Sequence, residues 1–204
     1  MASALEITTI VEVDEKDVEI LATRPYKPLE IVEYQEEWPA MYADVEQRIR
    51  QALGERAILL QHVGSTSVPG LAAKDVIDID LVVADPRDEE SYVPDLKAAG
   101  FQFLLREPKW YQHRFFSLKK PYTNLHVFGS DSPELVRHRL FRDWLREHED
   151  DRRRYTEVKR EAAAASSAVG ESVQQYNNRK ESALREILGR IFEAHGLSNS
   201  STGA

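Results

Sequence analysis

The stretch His62 to Val83, HVGSTSVPGLAAKDVIDIDLVV, decides how this chain is read, because it joins a hydroxyl-rich turn to a strand with two carboxylates on one face. Before it, the apolar run Ala57 to Val63 reads as a buried strand, which Gly64-Ser65 breaks into a turn. Ser65, Thr66 and Ser67 stand where a helical turn would begin, so backbone N–H groups and hydroxyls would gather at one spot suited to an anion. Val76 to Val83 alternates as a strand, with Asp78 and Asp80 on one face and Ile77, Ile79 and Leu81 on the other. Two carboxylates held side by side repel each other, and the usual relief is a divalent cation with hard oxygen ligands or a raised pKa on one of them. A half-exposed edge strand with two solvated aspartates gives the same pattern. The spacing favours chemistry: the Gly-Ser turn, twelve intervening residues and the acidic strand each supply a different part of phosphoryl transfer. On this reading Gly64, Ser65, Thr66 and Ser67 hold phosphates, while Asp78 and Asp80 hold a divalent metal.

Around this centre the chain alternates strand and helix patterns. Met41, Val45, Ile49 and Leu53 fall at helical spacing from Trp38 onward, and Gly54 ends that helix. Asp88 to Ala99 predicts a second helix and Phe101 to Leu105 a strand, followed by Trp110 to Leu118 and Asn124 to Phe128 as a hairpin across KKPYT. From Pro133 the pattern is helical, with breaks that predict further helices over about 149–168 and 172–195. The fold class expected is α/β of the α+β type: a mixed sheet of about five strands with packed helices and a C-terminal helical part. Residues 1–28 read as an acidic arm and linker, 29–130 as the α/β core, 131–195 as helices packed on it, and 196–204 as a disordered tail. The arm is expected to be mobile or an added edge strand, with no chemistry.

At GSTSVPGLAAK and VIDID the chain resembles the GrpB family, within the nucleotidyltransferase superfamily of DNA polymerase beta and the antibiotic nucleotidyltransferases. GrpB-like segments also occur fused to some dephospho-CoA kinases. The likeness runs from about Ile31 to about Ile191 and takes in VEYQEEWP, RHRLFRDWLREHEDDRRRYTEVKREAA and Tyr176-x-x-x-Lys180. It implies a magnesium-dependent transferase that moves a nucleotidyl group from a nucleoside triphosphate to an unknown acceptor. Superfamily members usually draw a third acid from the hairpin, where this chain has Asn124-Leu125-His126. Neither Asn124 nor His126 replaces a carboxylate's charge, and His126 also reads as a satisfied sheet histidine. The departure leaves one magnesium, held by Asp78, Asp80 and the substrate phosphates, and keeps a non-catalytic nucleotide-binding or regulatory domain open as an alternative. A third reading, aminoacyl-tRNA-dependent amino-acid transfer, follows from a likeness to some fungal enzymes and would make tRNA the partner.

Basic residues supply the remaining candidates. Lys159 and Lys180 each follow a tyrosine by four residues, matching the family's recurring Tyr-x-x-x-Lys, and with Lys74 they are first choices for phosphate. Arg114, His138 and Arg142, with Asn124 and His126, are candidates for substrate contact. A charged helix also reads as a solvated face. Of the formal charge of −8, residues 1–20 hold six acidic residues against one lysine, so the other 184 residues carry only −3. Nucleic acid therefore stays open as a partner of the body without being the default. The absence of cysteine removes disulfides and thiolate metal sites and is compatible with the cytosol, and no apolar run approaches membrane-span length. A cytoplasmic protein without a membrane partner is expected, of unknown oligomeric state.

Overall fold

The computed structural model describes residues 2–197. In chain order its elements are α1 (Ala4–Thr8), β1 (Glu19–Ile20), α2 (Trp38–Leu53), β2 (Leu59–Val63), β3 (Ile77–Val83), α3 (Val93–Ala98), β4 (Gln102–Glu107), β5 (His113–Leu118), β6 (Thr123–Gly129), α4 (Pro133–Glu147), α5 (Glu149–Val169) and α6 (Val173–Ala194). The strands form one six-stranded sheet in the order β1-β4-β5-β6-β3-β2. Only β3 and β6 run parallel; every other neighbouring pair is antiparallel. The expected mixed sheet is present. It has one strand more than the five expected, because Glu19 and Ile20 pair with Arg106 and Leu105 at the edge of β4.

The alternation of β3 sets the layers. Ile77, Ile79, Leu81 and Val83 pack on one face against Trp38, Val45, Ile49 and Leu53 of α2 and Leu96 of α3. Burial of such side chains contributes about 1.5–3 kcal/mol each, so this face is the main core. The opposite face, which carries Asp78 and Asp80, is covered by α4 to α6. Their own apolar stripe gathers Leu145, Tyr155, Ile187, Leu188, Ile191 and Phe192. Since the parallel register sets Asp78 beside Asn124 and Asp80 beside His126, the hairpin residues named from sequence stand next to the two aspartates. Among the described residues no helix is long and apolar enough to cross a membrane.

Two expectations need correction. The helix over Asp88 to Ala99 is a 3₁₀ turn at Glu89–Ser91 and then the short α3, because Pro94 sits at its start and opens a new first turn. The N-terminal segment takes the edge-strand alternative at Glu19–Ile20, and the residues before it are not a free arm. Ser3 caps α1 through a capping box with Glu6, and Ile7 is buried among the α4 and α6 stripe. Buried Arg137 of α4 donates to the carbonyls of Glu6, Ile7 and Thr9 at 2.8, 2.8 and 3.1 Å. Most of the tail expected over 196–204 lies outside the described residues.

Candidate functional site

The turn after β2 forms as read: Ser65–Ser67 is a single 3₁₀ turn entered through Gly64 at φ 69°. That glycine is required twice over. Its positive φ disfavours L side chains, and a Cβ there would lie 2.9 Å from Asp78 Cβ and closer still to Oδ2. The turn is thereby pressed against the acidic strand. Its hydroxyls divide in role, for Thr66 donates to Val76 O at 3.0 Å, tying the turn to the entry of β3, and Ser67 donates to Gly64 O at 2.6 Å within the turn. Ser65 alone of the three lines the cleft. Arg142 and Arg146 donate to His62 O (3.1 Å) and Ser67 O (2.7 Å), so they brace the turn with their guanidinium groups.

The two aspartates differ. Asp78 lines the cleft and accepts from Asn124 Nδ2 at 2.6 Å, while Arg24 in turn donates to Asn124 Oδ1. Burial pushes the Asp78 carboxyl up, against the lowering effects of Asn124, Lys74, Arg24 and Lys180. Asp80 is fully buried, does not line the cleft, and has His138 Nδ1 at 3.0 and 3.1 Å from its two oxygens. Burial alone would lower His138, but the Asp80 charge and hydrogen bond outweigh it and raise the imidazole to about 9. The pair is therefore a carboxylate neutralised by an imidazolium. A magnesium ion shared by Asp78 and Asp80 does not fit this arrangement: one carboxylate faces the cleft, the other is spent on His138. Among the described residues no group of three His, Cys, Asp or Glu side chains is placed to hold a metal ion.

Positive charge surrounds Asp78 instead. Lys74, just before β3, Lys159 of α5 and Lys180 of α6 all line the same cleft, whose volume is about 1340 Å³. Lys159 is 2% exposed and donates to Ser65 Oγ at 3.1 Å and to Ala72 O. The Tyr-x-x-x-Lys spacing lays each ammonium over its own tyrosine, with Lys159 4.8 Å from the Tyr155 ring and Lys180 5.0 Å from the Tyr176 ring. Lys74 shares the Tyr176 ring at 5.1 Å. Burial first, and then the Lys180 charge, lowers Lys74 to about 8 and Lys159 well below its ordinary value. Burial also lowers Lys180, against the pull of Asp78. An entering anion would relieve all three.

Other walls of the cleft were not read from sequence. Ile10, Glu12, Val13, Val18 and Ile20 border it, so the N-terminal segment is part of its rim. Glu12 pairs with Arg185 at 3.1 Å and Asp17 with Lys109 at 2.8 Å, fixing the segment to α6 on one side and the β4–β5 turn on the other. Arg24, also unread, reaches over Phe115 and Tyr122 to Asn124. Arg114 is not a cleft residue: strand alternation turns it to the opposite face from His113, where it is buried and bonds Glu89 at 2.6 Å. His126 does line the cleft, with its Nδ1 3.1 Å from Nε2 of His113.

Residues 28–190 match the family model described as GrpB protein. The chain belongs to the GrpB family. UPF0157 protein BH1888 of Halalkalibacterium halodurans is 45% identical over 160 residues, 78% of this chain and 80% of that one. UPF0157 protein SCO7215 of Streptomyces coelicolor is 34% identical, over 89% of this chain and 94% of its own. A dephospho-CoA kinase of Mycolicibacterium paratuberculosis is 31% identical over 81% of this chain but only 46% of its own, as expected of a fused GrpB-like segment. The crystal structure of conserved protein GrpB from Enterococcus faecalis shares the fold, with a TM-score of 0.69 at 23% identity over 82% of this chain and 99% of that one. The family match begins at residue 28, so Arg24 and the rim segment lie before it.

Proposed function

We propose that this GrpB-family chain binds a nucleoside triphosphate in the cleft and transfers its nucleotidyl group to an acceptor. The observation that carries this reading is the convergence of Lys74, Lys159 and Lys180, from three separate elements, around Ser65 and Asp78. Three ammonium groups crowded and partly desolvated without enough carboxylate are costly unless a polyanion completes the site. The phosphates lie against Ser65 and the lysines, which neutralise the charge that builds on the leaving pyrophosphate. Asp78, fixed by Asn124, faces the acceptor side.

A thermal-shift series with ATP, GTP, CTP and UTP, each with and without magnesium, tests the reading. Binding only to the folded chain should raise the melting temperature by about 5–10 °C at saturating nucleotide. We expect the rise without magnesium as well as with it, and we expect it to survive Asp78→Asn. A rise that demands magnesium and is abolished by both Asp78→Asn and Asp80→Asn would restore the shared cation. No rise with any nucleotide overturns the proposal. A second reading, binding without transfer, draws on Asn124 standing where a third acid is expected and on Asp80 being held off the cleft. Binding with no pyrophosphate release in the presence of any acceptor would select it.

A further inference from the structure

His113 is 2% exposed and stands between two partners: its Nδ1 is 2.6 Å from Glu107 Oε2 and its Nε2 is 3.1 Å from Nδ1 of His126. The register builds this row. Glu107 pairs with His113 across β4–β5, and Phe115, two residues on, pairs with His126 across β5–β6, so all three side chains stand on the cleft face of the sheet. Phe128 stacks on the His113 ring at 4.7 Å and Trp110 meets it edge-on at 4.9 Å, which holds the ring plane. Both ends of the row, Glu107 and His126, line the cleft.

Neutral imidazoles in such a row have two self-consistent arrangements. With Glu107 ionised, His113 donates its Nδ1–H to the carboxylate and accepts at Nε2 from the Nδ1–H of His126. His126 Nε2 is then a bare lone pair. With Glu107 protonated, every bond reverses and His126 Nε2 carries a proton. Passage from the first state to the second takes up one proton at Nε2 of His126, shifts a proton across each hydrogen bond of the row and leaves neither ring charged. Burial suits this exchange, since it pushes Glu107 up and both histidines down, which disfavours an imidazolium and lets the carboxyl end the row. The other charged or titratable groups near the row are Asp80, His138 and Arg24 about His126 and His138 about His113, while Arg114 acts on His113 from the opposite face of the sheet.

We propose that Glu107, His113 and His126 form a proton relay whose open end, Nε2 of His126, takes the proton from a hydroxyl or amine acceptor in the cleft. The relay rests on the nucleotidyl-transfer reading for the identity of the step it serves. In that step the acceptor oxygen or nitrogen bonds to the α-phosphorus, and the bond from that phosphorus to the bridging oxygen breaks. Pyrophosphate leaves with the electron pair. The acceptor's proton goes to Nε2 of His126, the Nδ1 proton of His126 to His113, and the Nδ1 proton of His113 to Glu107. Glu107, whose side chain is 16% exposed, then returns its proton to solvent. His126 meets the acceptor; Glu107 and His113 are positioning residues.

Nitrogen-15 NMR of the histidine rings in the full chain tests the relay without any acceptor in hand. At neutral pH His113 and His126 should both be neutral with the proton on Nδ1, the minority form of free imidazole. In Glu107→Gln, whose amide takes up no proton, the midpoint for protonating the His113–His126 pair should fall by about 1–3 pH units. A proton on Nε2 of His126 in the wild type, or the same midpoint in both proteins, overturns the proposal. The wild-type spectrum decides even where the variant fails to fold. ATP added to the same samples separates the two ideas: the expected ring forms without nucleotide binding sink the transfer reading alone, whereas binding with the wrong ring form sinks the relay alone.

Discussion

Strand β3 and the N-terminal segment line one cleft, yet only the first announces itself in the sequence. In β3 the alternation of aspartate and aliphatic residues fixes which side chains face the core, because a strand's period is a local property. In residues 2–24 a local signal such as the Ser3–Glu6 capping box forms α1 but does not place the segment on the body. Their placement depends on Arg137, more than 100 residues away, on the open edge of β4 and on Arg185 of α6. Acidic composition suggests a solvated arm, and the distant cations turn that same composition into anchors. A charged segment is thus read correctly only together with the surface that receives it.

Deleting residues 1–22 is the strongest way to break this contrast. It exposes the pocket filled by Ile7, removes the β1 pairing and strips three carbonyl partners from the guanidinium of Arg137, a residue only 3% exposed. A loss of about 3–5 kcal/mol follows from apolar burial and unmet hydrogen bonds, or about 10 °C in melting temperature for a chain of this size. Calorimetry on the truncated chain checks it, and an unchanged melt would return the segment to a passive arm.

The two aspartates offer the next largest effect. Asp80→Asn leaves a buried imidazolium without its counter-charge, so about 2–4 kcal/mol should be lost, limited by the histidine shedding its proton. Asp78→Asn should stay within about 1 kcal/mol of wild type, because this carboxylate is partly wet and its own ionised form is disfavoured by burial. Chemical denaturation of both variants measures the difference; equal losses would mean that the two side chains are held alike after all.

A pH series sharpens the same point. His138 is raised from 6.5 to about 9 in the folded chain, so its contribution is fully present below about pH 6.5 and is lost as pH rises through about 9. The stability difference between wild type and His138→Gln should shrink by about 1–3 kcal/mol across that window. Taking the difference matters because Lys74 moves the other way: its lowered value adds stability as pH rises through about 8. A difference independent of pH would show that His138 is uncharged beside Asp80.

Much of this site was legible for the same reason that β3 was. Gly64, Ser65 and the two aspartates are defined by spacing within one stretch, and the Tyr-x-x-x-Lys pairs by one helical turn. The unread parts depend on register between distant strands. His113 could join His126 only once the hairpin set Phe115 opposite His126, and Arg24 precedes every recognisable motif. Arg114 and Arg142 were ranked by charge, which cannot say on which side of a sheet or turn a guanidinium lies.

The smallest expected effect compares two cations five residues apart on α6. Lys180 lies over Tyr176 and feels Asp78, whereas Arg185 also lines the cleft but is already paired with Glu12 at 3.1 Å and Glu181 at 2.6 Å. Lys180→Ala should weaken ATP binding about tenfold, worth about 1.4 kcal/mol for one charge-assisted phosphate contact. Its melting temperature without nucleotide should hold, since burial already disfavours the ammonium. Arg185→Ala should leave ATP binding alone and loosen only the grip of the N-terminal segment on α6, because its charge is spent on two carboxylates. Titration calorimetry of the two variants under one buffer separates them. Were Arg185→Ala to cost as much as Lys180→Ala, the phosphates would be seated under the N-terminal rim rather than at the Ser65 turn, and the segment that the sequence hid would be the binding surface itself.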